Sequence, residues 1–237
     1  MDVGGQSLMG TMVGEANEII ARYLSERDRK FVFEFGIGSG ELTAALHRYV
    51  RRVYVHGVDL SAQLVRNASS RYGSDTFAVH DLREPTKFND GFFDAAAGTE
   101  LLVTLEDEVA EGVLKEMARL IPPKGLVLFS ELTPESFELF HMLPDTTVDK
   151  FGAGEICMER LANVLAQQMG CSREELDRSF PLGTLYVRRP ERYAEMIEAA
   201  GLRVESVLPV PPPTTHPMLP VGMFGNPAAF VYVGQKD

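Results

Sequence analysis

Apolar positions along this chain alternate between short continuous runs and stripes at helical spacing. Residues 14–25 put Ile19, Ile20, Tyr23 and Leu24 on one stripe, predicting a helix ahead of the first strand. The apolar run that opens at Phe31 ends in Glu34 and reads as a buried strand, followed by a glycine turn. Leu42, Ala45, Leu46 and Tyr49 then form the sheet-facing side of a second helix. The second strand is expected over Val53–Val58, ending in Asp59, with Ser61 capping the next helix. The third spans Thr76–Val79 and ends in His80-Asp81. Asn89-Asp90-Gly91 turns the chain into a fourth strand, Phe92–Ala97. Val109, Val113, Met117, Leu120 and Ile121 hold a helical period through 106–121 until Pro122-Pro123 stops it, and Leu126–Ser130 is the fifth strand. Strands and helices alternating at this spacing predict an α/β fold whose parallel sheet is covered on both faces.

The rhythm breaks after the fifth strand. Residues 132–181 carry helix candidates and no strong strand: Cys157, Leu161, Val164 and Leu165 share a stripe, and Ser172 with Glu175 reads as a capping box. We read residues 132–189 as a helical cap inserted over the active-site edge of a single domain spanning 1–237. The α/β rhythm then resumes. Pro190 suits the first turn of a helix that buries Tyr193, Met196, Ile197 and Ala200 and ends at Gly201. Two strands are expected at Arg203–Leu208 and Ala228–Val233. The proline-rich stretch between them, 210–227, cannot be a central strand, yet it is apolar enough to line a pocket or an interface.

Composition narrows the function classes. A chain of 237 residues fits one α/β domain with an insertion. No apolar run approaches the roughly 20 residues that cross a bilayer, and the N-terminal stretch lacks the basic and apolar regions of a secretory signal. A cytoplasmic protein without a membrane partner is expected. The two cysteines, Cys157 and Cys171, are too few for a disulfide framework and lack metal-ligand spacing, so no metal is expected. The net charge of −11 disfavours a nucleic-acid partner. The basic pairs Arg51-Arg52 and Arg188-Arg189 read as surface beside ordinary acids. A small-molecule substrate fits better, and the sequence leaves room for a homo-oligomer.

The glycine turn carries the chemistry. Gly36, Gly38 and Gly40 fall at every second position. A dinucleotide fingerprint, G-x-G-x-x-G, would need its third glycine at position 41, which is Glu41. Glu34 also puts a carboxylate near a helix N-terminus, where it would repel a pyrophosphate. Asp59, at the end of the second strand, is placed to accept hydrogen bonds from both hydroxyls of a ribose. The segment Glu34-Phe35-Gly36-Ile37-Gly38-Ser39-Gly40 resembles the first motif of the class I S-adenosylmethionine-dependent methyltransferases, [D/E]-x-G-x-G-x-G.

That resemblance implies S-adenosylmethionine as cofactor and extends over about residues 31–131. It implies that Glu34, Gly36, Ile37, Gly38 and Gly40 form the cofactor turn. Asp59 and its neighbour Leu60 would hold the ribose side, and Asp81 and Leu82 the adenine. Phe93-Asp94 and the small residues after it resemble the fourth motif, which would bring Gly98 and Thr99 near the methionine moiety. Gly98-Thr99-Glu100 departs from the aromatic or Asn/Asp residues frequent there. The helix, Pro/Gly turn and apolar strand through Glu131 resemble the fifth motif. The implied fold is a Rossmann-like seven-stranded sheet, order 3-2-1-4-5-7-6, with strand 7 antiparallel.

A methyl sulfonium is already a strong electrophile, so the protein's main tasks are alignment and exclusion of water. A hydroxyl acceptor would benefit from a general base, for which Glu100 and His141 are the candidates. Tyr23, His216 and Phe224 are the candidate substrate contacts. Methyl transfer to an oxygen or nitrogen of a small molecule, in specialised-metabolite biosynthesis, is the expected function. Two other readings share the glycine turn: a protein that binds S-adenosylmethionine without methylating (a regulator, cyclase or lyase-type enzyme), and an NAD-dependent oxidoreductase with a variant loop.

Overall fold

The computed structural model describes residues 8–73, 75–132, 155–156, 185–211 and 229–237. The chain opens with helix α1 (Leu8–Glu26), then β1 (Phe31–Phe35), α2 (Glu41–Tyr49), β2 (Tyr54–Asp59), α3 (Ala62–Arg71), β3 (Thr76–Val79) and β4 (Ala95–Thr99). A 3₁₀ turn (Leu102–Thr104) leads into α4 (Asp107–Leu120) and β5 (Leu126–Leu132). Two short strands follow, β6 (Glu155–Ile156) and β7 (Leu185–Tyr186), and then α5 (Pro190–Ala199), β8 (Arg203–Val210) and β9 (Ala229–Gln235).

Seven strands form one sheet in the order β3-β2-β1-β4-β5-β9-β8. β9 runs antiparallel to both neighbours, and the other strands of this sheet are parallel. This is the order 3-2-1-4-5-7-6 with its seventh strand reversed. Strand alternation sorts side chains onto the two faces. Val32, Val55, Leu126, Leu128 and Val231 pack under Ile20 and Leu24 of α1 and Leu42 and Leu46 of α2. Phe33, Phe35, Val127, Phe129 and Tyr232 pack under Val113, Leu114 and Met117 of α4 and Tyr193, Met196 and Ile197 of α5.

Element boundaries depart from the sequence expectation in places that tertiary contacts explain. β4 begins at Ala95 instead of Phe92. Phe92 and Phe93 belong to an aromatic cluster with Phe31 and Phe88, and the Phe93 N–H is spent on Leu120 O at 3.0 Å. α1 begins at Leu8, ahead of the apolar stripe. The 132–189 cap, with its Cys157 stripe and Ser172 capping box, lies mostly outside the described residues. Within that range β6 and β7 pair antiparallel, where a helical cap was expected.

Candidate functional site

β1 ends in a turn whose three glycines all take positive φ: Gly36 at 73°, Gly38 at 50° and Gly40 at 82°. L-residues with a Cβ avoid this region, which explains glycine at every second position. Packing adds a second reason at two of them. A Cβ on Gly40 would lie 2.9 Å from the Tyr72 ring, and one on Gly36 would lie 3.2 Å from Leu101.

The backbone donors of this turn are engaged inside the protein. Gly36 N and Ile37 N donate to Val58 O at 2.9 and 3.1 Å, and Gly40 N donates to Ile37 O at 2.8 Å. Gly38 N donates to Asp59 Oδ2 at 3.0 Å. A diphosphate is held by free N–H groups at such a turn, and here four of them already have acceptors. These four donors are therefore not offered to a diphosphate. Glu34 is not the repelling carboxylate expected from sequence. Glu34 is 1% exposed and accepts hydrogen bonds from the Thr43 hydroxyl and backbone, in the first turn of α2. It thereby caps a helix whose own N-cap, Gly40, has no side chain to do so. Burial pushes its carboxyl up to about 8, so at neutral pH it is mainly uncharged and repels little.

Asp59 is the hinge of the site. Its Oδ2 accepts from Gly38 N and its Oδ1 from Ser61 N at 2.8 Å, which ties the end of β2 to the glycine turn and to the cap of α3. Each carboxylate oxygen can still accept a further bond. The cleft in front of it, about 530 Å³, is lined by Gly36, Asp59, Leu60, His80, Asp81, Leu82, Arg83, Leu101, Thr104, Leu105, Glu106, Val109 and Tyr186. Leu60 is 66% exposed, an unusual state for a leucine unless a ligand covers it. Arg83 Nε donates to both oxygens of Asp81 at 2.9 and 3.0 Å, and this pairing holds the Asp81 carboxyl down at about 2. The cleft therefore offers ionised acceptors beside leucine faces, a donor set suited to a ribose and an adenine amine.

Five of the cofactor residues expected from sequence meet at this cleft: Gly36, Asp59, Leu60, Asp81 and Leu82. The others do not line it. Ile37 is buried with Val65 and Ala68, over Gly57. Gly38 acts through its N–H to Asp59, and Gly40 through the turn. Gly98 is glycine for packing, since a Cβ there would sit 2.6 Å from Phe35 O. Thr99 pairs with Ser130 in the β4–β5 register. Tyr23 bonds Glu205 of β8 at 2.7 Å, between α1 and the sheet edge, and lies outside the cleft. His141, His216 and Phe224 lie outside the described residues. Glu100, half-buried at φ 52°, accepts from Ser130 Oγ at 3.2 Å and Leu132 N at 3.1 Å, and burial raises its carboxyl to about 8. It too does not line the described cleft.

Sequence reasoning missed the opposite wall. Thr104, Leu105, Glu106 and Tyr186 come from the 3₁₀ turn, its exit and β7. Only the departure at Gly98-Thr99-Glu100 had marked that the chain does something unusual after β4.

Residues 32–125 match a family model described as a methyltransferase domain. That stretch contains the glycine turn, Asp59 and Asp81. Over that stretch the chain is similar to a methyltransferase domain, in line with the resemblance carried by the glycine turn. The chain is 28% identical over 112 residues, 46% of its length, to a ubiquinone/menaquinone biosynthesis C-methyltransferase of Desulfotalea psychrophila, and the match spans 44% of that protein. In fold it resembles an S-adenosylmethionine-dependent methyltransferase from Mesorhizobium loti, with a TM-score of 0.64, 18% identity, and coverage of 97% of this chain and 100% of that one. A magnesium protoporphyrin IX methyltransferase from Synechocystis, solved with S-adenosylhomocysteine, gives 0.58 and 15% identity, covering 100% and 90%.

Proposed function

We propose that this chain moves the methyl group of S-adenosylmethionine to an oxygen or nitrogen of a small molecule. The observation that supports this most is the Asp59 carboxylate, fixed by two backbone N–H groups at the mouth of a cleft and still able to accept further bonds. The cofactor supplies an electrophilic methyl on a sulfonium with a neutral leaving group. In this reading Asp59 accepts the ribose hydroxyls, Asp81 the adenine amine, and Leu60 and Leu82 cover the base. Glu34 holds the first turn of α2 in place behind them. The apolar 210–227 stretch and the 132–189 cap would close over the acceptor and exclude water. His216 and Phe224 are the contacts proposed from the first of these, and His141 from the second.

Glu100 and His141 enter as general bases for a hydroxyl acceptor. A carboxyl at about 8 gains its charge through neutral and mildly alkaline pH, the range in which it could take a proton from such an acceptor. The acidic total of −11 supports a small-molecule or basic acceptor over a nucleic acid. A carbon acceptor is the second reading, favoured by the C-methyltransferase named above.

The test has two arms. Titration calorimetry with S-adenosylhomocysteine should give saturable binding, with no heat from NAD. Incubation with methyl-labelled S-adenosylmethionine and a panel of phenols, amines and carbon nucleophiles should label one class, and mass spectrometry of the product locates the methyl. Binding of NAD alone would sink the proposal. Label appearing only on carbon would move it to the second reading.

A further inference from the structure

Behind the cleft wall lies a buried charged group that cofactor contacts do not explain. Arg188 is 1% exposed. Its Nη1 donates to Leu102 O at 2.8 Å and Tyr186 O at 3.0 Å, its Nη2 to Leu105 O at 2.5 Å, and its Nε to Asp107 Oδ1 at 2.7 Å. From the other side Glu131 of β5, fully buried, accepts from Leu102 N at 2.7 Å and Val103 N at 3.0 Å. The Leu102–Thr104 turn is thus gripped by groups matched to its backbone, an acceptor on its first two N–H groups and a guanidinium that spans the carbonyls of its first residue and of its exit residue Leu105. The residues beside these contacts, Leu101, Leu105 and Tyr186, line the cleft, and Leu101 rests against Gly36.

Buried charges are a poor way to gain stability, because apolar residues of equal volume serve as well or better. What they add is a fixed geometry. We infer that Arg188 and Glu131 are positioning residues, which together hold the 101–106 wall at the spacing the cofactor requires and tie it to the chain entering α5. The inference rests on the cleft being the S-adenosylmethionine site, so its test keeps the two apart.

Amide exchange read by mass spectrometry follows the wall itself, and calorimetry with S-adenosylhomocysteine follows its consequence. In Arg188→Met, exchange across 101–106 should speed up and affinity should fall about tenfold or more. Arg119→Met is the control. Arg119 is bonded as richly, to Glu116, Asp90 and Phe88 O, but does not line this cleft. That variant should lose thermal stability and bind as the wild type does. If Arg188→Met does not fold, Glu131→Gln keeps the shape, removes one acceptor of the N–H pair, and should speed the same exchange while weakening binding about threefold. Wild-type exchange over 101–106 in the folded variants overturns the inference. So does affinity within about twofold of wild type alongside faster exchange. A wild-type protein that binds no S-adenosylhomocysteine would sink the cofactor reading instead, and the exchange arm would still decide whether the wall is clamped.

Discussion

Arg83 and Arg188 both donate to carboxylates, one on the open lip of the cleft and the other behind its wall. Arg83 pairs with Asp81 where solvent reaches both, and the pairing leaves Asp81 ionised. Arg188 is buried with Glu131 and Tyr193, whose titrating groups desolvation raises well above their usual values. Glu100 adds to the rise at Glu131. On the lip, charge is available to a ligand; behind the wall, it is consumed in holding backbone. The same contrast runs through the acids. Asp59 and Asp81 face the cleft as acceptors, whereas Glu34, Glu100 and Glu131 are enclosed and accept from the protein itself.

The sharpest way to break this contrast is to remove a lip carboxylate. Asp59→Ala deletes the acceptor for two ribose hydroxyls and releases Gly38 N from its anchor. Hydrogen bonds to a charged group contribute roughly 1.5–3 kcal/mol each. S-adenosylhomocysteine affinity should therefore fall about a hundredfold or more by calorimetry. An affinity near wild type would show that the ribose is held elsewhere.

Removing an enclosed acid should act on stability through pH. The Glu34 carboxyl stands at about 8 in the folded protein, against about 4.3 for glutamate in an unfolded chain. Below pH 4 both states carry the proton and the folded state keeps its full advantage. As pH rises toward 8 the unfolded chain ionises first, so Glu34 draws stability down across that window. Glu34→Gln can still accept from Thr43 and cannot ionise. Its urea midpoint should fall less than that of wild type between pH 5 and 8. Glu100 acts in the same direction, so the slope should flatten without vanishing. Parallel slopes for the two proteins would mean that Glu34 is charged in the fold.

The lip was legible in the sequence and the clamp was not, for a physical reason. Asp59 and Asp81 stand at the ends of parallel strands, where local pattern alone locates the ligand edge of an α/β sheet. The helices on both faces follow from the same rhythm, whereas the strand order and the reversed strand came only from the family resemblance of the glycine turn and the motifs after it. Gly98 was visible as a small residue, but its cause, the approach of Phe35, is a contact between strands that no local pattern announces. Arg188 beside Arg189 looked like ordinary surface. What buries it is the Leu102–Asp107 stretch, reached only after a long excursion of the chain. Glu131 followed an expected strand, Leu126–Ser130, that looked merely apolar, and its partners are the N–H groups that follow β4. Long-range pairing of charge with backbone leaves no periodic trace.

The smallest expected effect tests the other side of the comparison. Arg83→Ala removes the partner that holds the Asp81 carboxyl at about 2. The pair is solvent-exposed, and such ion pairs contribute little that can be measured. The sign of the linkage agrees. A carboxyl depressed in the folded state loses its contribution only as pH falls from about 4 toward 2, so at neutral pH Asp81 stays ionised with or without Arg83. The melting temperature of the variant should match wild type at pH 7, and S-adenosylhomocysteine affinity should change by less than about threefold. Asp81 would simply exchange the guanidinium, which bonds both of its oxygens, for water. A loss on the scale of Asp59→Ala would mean that Arg83 orients Asp81 toward the adenine as firmly as Arg188 orients the opposite wall. The lip would then be a second clamp, and exposure alone would no longer separate the two arginines.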